Sequence, residues 1–255
     1  MALLVLYPSG ASDAAAPRLA ELMGSTAFEA RMWIASAIPR VLARPDGERA
    51  RALASALARD GFDAEVLEDL ELERGLEVRA ARSMQFQEAG LVFVDGALAW
   101  GDVATIVRAV SRGNVVRSTV TVEKVRVGRG GSVDVVRESS HEEHPKGELL
   151  YLFGAQGPAW LLAMDTLRYP TLGIPLRPTQ RDNFNAVIER IRASAPRAYY
   201  DDELVRQGPP RHDVTRVRDS EVAAPVGPSA ALDLAARLIH RARMRAAQHP
   251  YRSTR

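Results

Sequence analysis

Residues 24–68 constrain the fold more than any other part of the chain, because helix and strand signals alternate there at close spacing. Thr26 and Glu29 have the spacing of a capping box at the start of a helix. Pro39 is expected to end that helix, since a proline disfavours helical geometry in the residue before it. The stretch therefore predicts a short helix that leads into a buried strand at residues 40–43.

Two further helices and two further strands complete this module, and the clearer of these helices follows residues 40–43. Asp46 can cap the helix, and Gly61 is placed to end it. The side chains that repeat at helical spacing are Ala50, Leu53, Ala54 and Leu57. Apolar residues 2–7 form a first strand with a helix after it, and residues 64–67 form the last strand. The predicted order over the module, residues 1–70, is βααβαβ.

This order resembles the C-terminal domain of the bacterial ribosomal stalk protein, which shares its fold with the ClpS-type adaptors. GSTAFEAR at 24–31 is similar to the helical G-L-G-L-K-E-A-K segment of the stalk family. Lysines on that helix pair contact translation GTPases in the family; the matching positions here are Phe28 and Arg31, so one cation remains. The resemblance implies a binding module, with Phe28, Arg31 and Trp33 as binding residues. The alternative is that Phe28, Met32 and Trp33 all belong to the core.

From residue 79 onward the sequence is typical of short strands. Residues 71–78 are typical of a charged linker, and about seven strand signals follow between 79 and 205. One helix closes this part, with an apolar stripe of Phe184, Val187, Ile188 and Ile191. We expect an antiparallel, barrel-like domain with a closing helix, and an α+β fold for the whole chain. The element order is loosely similar to that of pleckstrin-homology-like domains.

A basic C-terminal region differs in charge from the rest of the chain. Residues 206–228 predict a flexible linker, and residues 229–255 predict a basic helix and tail. Residues 206–255 hold ten arginines against four acidic residues, whereas the whole chain carries a net charge of +2. This helix could bind nucleic-acid phosphates, an anionic membrane surface or an acidic protein groove. Its candidate binding residues are Arg237, Arg241 and Arg245. A solvated tail in an arginine-rich chain is the alternative.

The composition limits the cellular compartments and the kinds of cysteine-dependent site that are expected. The chain has no cysteine, so it can form neither a disulfide nor a cysteine-ligated zinc site, which suits a reducing cytosol. The first apolar run lacks the basic flank of a signal peptide, and no run approaches the ~18 residues of a membrane span. We therefore expect a bacterial, cytoplasmic protein without a membrane span.

Three clusters are candidates for a chemical role, and for each there is also a purely structural interpretation. His141 and His144 are three residues apart, unlike the zinc motif H-E-x-x-H; they could bind a metal with a neighbouring acid, or lie on a solvated hairpin tip. The acidic residues 201–203 could act in acid–base chemistry, but are more typical of a solvated edge. The glycine-rich residues 128–131 predict a hairpin turn rather than a phosphate loop. No catalytic set is recognised and no cofactor is expected.

The preferred hypothesis is a non-enzymatic interaction or adaptor protein whose partner is another protein. The alternatives are a metal-dependent enzyme that uses His141 and His144, and nucleic-acid binding through the basic tail. The sequence does not fix the oligomeric state, nor whether the C-terminal helix packs against the rest of the protein.

Overall fold

Layers of helices and sheets alternate in the computed structural model, which describes residues 2–8, 11–68, 77–111, 120–127, 131–138, 147–207 and 227–248. The fold class is α+β, as predicted. Much of the two predicted linkers, residues 69–76 and 208–226, lies outside the described residues.

The N-terminal domain has the predicted βααβαβ order. Its elements are β1 (Ala2–Leu6), α1 (Ala16–Met23), α2 (Ala27–Ile34), β2 (Arg40–Ala43), α3 (Gly47–Arg59) and β3 (Ala64–Glu68). β1 is the middle strand of a three-stranded sheet and pairs antiparallel with β2 and with β3. Every residue of β1 is buried, which explains why its sequence is a continuous apolar run.

Local capping chemistry sets the helix starts in this domain. The Thr26 hydroxyl accepts from the Glu29 backbone amide, and Glu29 Oε2 accepts from the Thr26 amide at 2.8 Å, so the capping box is confirmed. Asp46 Oδ1 caps α3 through the backbone amide of Arg49. Gly61 follows α3 with φ of 83°, a left-handed conformation that favours glycine, as predicted for the end of that helix.

α2 ends earlier than predicted from the position of Pro39. The helix stops at Ile34, well before Pro39. Between them the Ser36 hydroxyl donates to the Ile38 carbonyl at 2.8 Å and holds the chain in a turn. A serine that bonds nearby backbone in this way competes with helix continuation.

The second domain contains ten strands among the described residues. They are β4 (Val78–Ala81), β5 (Met84–Phe86), β6 (Gly90–Phe93), β7 (Gly96–Ala99), β8 (Val103–Ser111), β9 (Val120–Val127), β10 (Gly131–Glu138), β11 (Gly147–Gly154), β12 (Ala159–Ala163) and β13 (Tyr199–Asp201). The helices are α4 (Gln180–Ser194), α5 (Glu203–Arg206) and α6 (Gly227–Gln248). α4 is the predicted closing helix, and the antiparallel pairing of β9 with β10 agrees with the predicted hairpin.

The described strands of this domain form open sheets rather than a closed barrel. The main sheet has the order β13-β8-β11-β12-β4, with β13 and β4 at its edges, and β5, β6 and β7 form a separate meander. β8, β11 and β12 pair antiparallel, whereas both edge strands pair parallel. The side chains of β8 and β11 alternate, so that one face of the sheet packs against α4 and the other against α6.

α6 lies between the two sheets and contacts both. On one side it packs against Val107, Tyr151 and Phe153 of the main sheet, through Leu232, Ala235, Ala236 and Ile239. On the other side Leu238 packs against the N-terminal sheet, at Leu3, Val5, Tyr7 and Leu67. Every side chain from Ala231 to Ala242 is buried or half-buried, as expected for a helix surrounded by protein. The C-terminal helix is therefore a central layer of the structure.

Candidate functional site

Of the three sequence clusters, only the acidic residues 201–203 lie wholly in the part of the chain that is described, since residues 128–130 of the glycine-rich cluster are outside it. His141 and His144 lie outside it, and within it no three histidine or acidic side chains are grouped to hold a metal. Of the acidic cluster, Asp201 is buried and accepts from the Glu203 amide at 3.0 Å. Asp202 and Glu203 both form ion pairs with Arg206. These carboxylates stabilise the short helix α5, in line with the structural alternative.

The outer face of α2 is the clearest exposed apolar feature of the N-terminal domain. Phe28 is 69% exposed and Met32, one turn further on, is 55% exposed. Arg31 is also exposed and lies between them on the same face. The alternative that Phe28 and Met32 are core residues is therefore wrong.

The packing of α2 on the N-terminal core explains this arrangement. Ala30 is fully buried, and Trp33 and Ile34 pack partly against the core. These three residues follow i, i+3, i+4 spacing and define the inward face, which turns Phe28 and Met32 outward. Trp33 therefore helps to anchor the helix, whereas Phe28 and Arg31 are exposed on its outer face.

α2 carries one cation and one anion, which lie in different settings. Arg31 is exposed, whereas the one acidic residue of α2, Glu29, is bound by the Thr26 amide and hydroxyl at 2.8 and 2.9 Å. These hydrogen bonds hold the pKa of Glu29 below its usual range, so it stays ionised and engaged in the cap. The face therefore offers two apolar side chains and a guanidinium.

Other exposed apolar residues provide a comparison. Val94 is 83% exposed, but it stands alone in the turn between β6 and β7. Isolated exposed apolar residues are ordinary on protein surfaces, whereas adjacent ones on a fixed helix suggest a contact surface. α2 differs from that turn because its two exposed side chains are neighbours.

The C-terminal arginines lie in a different setting from the one expected of a free tail. Arg241 donates to both carboxylate oxygens of Glu65, at 3.1 and 2.8 Å. Arg245 pairs with Glu65 at 2.7 Å and with Asp63 at 2.8 Å, and it lies over the ring of Tyr7 at 4.6 Å. We call this group, Tyr7, Asp63, Glu65, Arg241 and Arg245, the arginine clamp.

The contacts within the arginine clamp shift the pKa values of Glu65 and Tyr7. Burial alone would raise the pKa of Glu65, but hydrogen bonds from Arg241 and Tyr7 and the nearby guanidinium charges outweigh burial and lower it. The Tyr7 hydroxyl donates to Glu65 at 2.8 Å, and burial followed by the charge of Glu65 raises the pKa of Tyr7. The clamp joins α6 to β3 of the N-terminal domain.

Arg237, the third predicted tail residue, faces the other sheet. It is half-buried near Asp233 and Tyr151, and burial lowers its pKa while Asp233 opposes that shift. The Tyr151 hydroxyl donates to Asp233 at 2.8 Å. Arg237 therefore belongs to the contact between α6 and the main sheet.

A buried histidine was not singled out by the sequence. His240 Nδ1 lies 2.9 Å from the Thr105 hydroxyl, and its ring stacks on Phe153 at 4.7 Å. Burial lowers the pKa of His240 to about 4, so it is neutral near pH 7. Its position on the apolar side of the predicted helix was the only available signal, and the residues that surround it are distant in sequence.

Within the described residues, no helix combines the length and apolar character needed to cross a membrane. No protein-family model, curated protein or solved structure matches the chain. The function therefore has to be inferred from the side chains themselves.

Proposed function

We propose that the chain is a non-catalytic interaction or adaptor protein of the bacterial cytosol. It binds a protein partner through the outer face of α2, which consists of Phe28, Arg31 and Met32. The observation that carries this proposal is the exposure of Phe28 and Met32 side by side on a capped helix. The cysteine-free sequence supports the cytosolic part, and the resemblances to the stalk and pleckstrin-homology families stay predictions.

Because α2 is held in place at its start and along its inward face, its outer face is a preformed surface for recognition. Its start is fixed by the capping box, and its inward face is anchored by Ala30 and Trp33. A surface fixed in this way loses little conformational entropy on binding, which improves affinity for a given contact area. The surface is small, so the contact is of the weak, transient class.

The charge of the face selects the chemistry of the partner. A partner that fits carries apolar side chains one helical turn apart with a carboxylate near Arg31, as an acidic amphipathic helix does. Pairing of two copies through this face would bring two exposed Arg31 side chains together, and such like-charge contacts are unfavourable. We therefore favour a different protein over a second copy.

Site-specific photo-crosslinking tests the proposal. A benzophenone amino acid replaces Phe28 in the full chain, and the same amino acid replaces Val94 as a matched exposed control. We expect a discrete adduct from position 28 whose linked peptide is an acidic amphipathic helix, and none of it from position 94.

Binding of the identified peptide then gives the quantitative test. Fluorescence anisotropy with the synthetic peptide should show about tenfold weaker binding for Arg31→Glu and for Phe28→Ser. Equal crosslinking from positions 28 and 94, no adduct from position 28, or a peptide that binds both variants as well as the unmodified chain would contradict the proposal.

A further inference from the structure

A half-open groove of about 340 Å³ lies where α4 ends and β13 begins, away from α2. Its floor is apolar and is formed by Ile106, Ala195 and Ala198. Its rim carries the polar groups of Glu189, Arg192 and Tyr200. The volume is at the lower end of the range for small-molecule sites.

Arg192 is the cation of this groove. Its guanidinium lies 4.1 Å from the centre of the Tyr200 ring, and within the described residues no carboxylate forms an ion pair with it. Stacking on an aromatic face fixes a guanidinium in place while leaving its N–H groups available to an anion.

The neighbouring charges are already compensated. Arg108 interacts with the Tyr200 hydroxyl, but it also pairs with Glu148 and donates to Asn185 at 2.8 Å. Glu189 lies 3.6 Å from Arg177, which offsets its negative charge. Arg192 therefore remains as one uncompensated positive charge beside an apolar surface.

We propose that this groove binds a small monocarboxylate with an apolar body. The carboxylate meets the Arg192 guanidinium, and the apolar body lies on Ile106, Ala195 and Ala198 against the Tyr200 ring. One guanidinium matches one carboxylate, whereas a phosphate or a dianion would require further donors. At roughly 30 Å³ for each water-sized group, the groove accommodates a molecule of about ten heavy atoms. This site is independent of the α2 surface and adds a ligand to the proposed interaction protein.

Titration followed by NMR tests the groove with 3-phenylpropionate as the probe and 3-phenylpropanamide as its uncharged match. For a molecule of this size we expect a dissociation constant of about a millimolar for the carboxylate. Saturable shifts should be confined to the backbone amides around Ala193, Ala198 and Tyr200, and the amide should bind about tenfold more weakly. Equal binding of the two probes, shifts centred elsewhere, or no saturable shift would overturn the proposal.

Three variants separate binding in the groove from general effects of charge. Arg192→Gln should weaken carboxylate binding about tenfold and bring it to the level of the amide. Arg190→Gln is the matched control, because Arg190 stacks on Phe86 of the same domain at 4.2 Å and does not line the groove. Ala193→Phe fills the groove from an exposed position and should remove binding of both probes. Equal losses in the Arg190 and Arg192 variants, or unchanged binding in the Ala193 variant, would contradict the site.

Discussion

The exposure of α2 and α6 is the reverse of what their compositions predict. α2 carries Phe28 and Met32, which an apolar stripe would place in the core, yet both are exposed. α6 carries the arginines of a basic run, which would usually be solvated, yet Arg241 and Arg245 lie in the arginine clamp between two domains. Which face of each helix is buried depends on the elements that pack against it, and those elements come from distant parts of the chain.

The arginine clamp shows how half-buried cations are stabilised. Arg241 and Arg245 are held by two carboxylates and by the face of Tyr7, so their charges are paired and hydrogen-bonded where they leave water. Arg31 on α2 is exposed, and among the described residues no carboxylate pairs with it. The two helices therefore differ in their structural role: α6 joins the two domains, whereas α2 has an exposed outer face.

The largest expected effect comes from placing the same charge on each helix. Leu238→Asp puts a carboxylate between α6 and β1, where Leu3 and Val5 surround it, and should cost about 4 kcal/mol or more of unfolding free energy. Met32→Asp on the exposed face of α2 should change it by about 0.5 kcal/mol or less. Urea denaturation of both variants checks this, and similar losses from the two substitutions would show that Leu238 is no more buried than Met32.

The arginine clamp gives the next effect, with a control on the same strand. Glu65→Gln leaves Arg241 and Arg245 without their shared carboxylate and should cost about 2 kcal/mol, a value reduced because the site is partly exposed. Glu68→Gln removes only the exposed pair with Arg51, and should cost about 0.5 kcal/mol or less. Equal costs in urea denaturation would mean that the clamp does not hold α6 to the N-terminal domain.

A smaller effect is expected from pH, through His240. Its pKa is about 4 in the folded chain and 6.5 in the reference state, so between these values the unfolded chain binds a proton that the folded chain does not. Folding stability should therefore fall as the pH is lowered from 6.5 towards 4, by about 2 kcal/mol at about pH 5.

His240→Gln isolates this contribution. Glutamine does not titrate and can still bond the Thr105 hydroxyl, so the variant should lose the part of the pH dependence that lies between pH 6.5 and pH 5. Glu65 has a lowered pKa, and its own contribution disappears only at more acidic pH. An unchanged slope in His240→Gln would show that the buried histidine is not protonated on unfolding.

The local part of the fold could be predicted from the sequence. The βααβαβ order, the capping box at Thr26 and the cap at Asp46 all depend on residues within a few positions of each other. α4 was predictable for the same reason, because Phe184, Val187, Ile188 and Ile191 form one stripe. The open form of the main sheet was not, because the parallel pairing of β4 and β13 at its edges joins distant segments.

The candidate sites were less accessible to sequence reasoning. Periodicity places Phe28 and Met32 on one face of α2, but it does not reveal that no described element covers that face. Likewise, charge identifies Arg241 and Arg245, but their partners Asp63 and Glu65 are far away in the sequence. Arg192 and Tyr200 meet only because β13 pairs with β8 beside α4.

The most direct test of the account asks whether α6 makes the two domains unfold together. The chain has three tryptophans, Trp33, Trp100 and Trp160. Trp33 reports on the N-terminal domain and Trp160 on the second, so two variants that both lack Trp100, and that each keep one of the other two tryptophans, give separate fluorescence signals. If α6 couples the two domains, both reporters should give superimposable urea transitions, and the transitions should separate after Leu238→Asp is introduced. Two well-separated transitions in chains with Leu238 intact would contradict the role of α6 as the shared central layer.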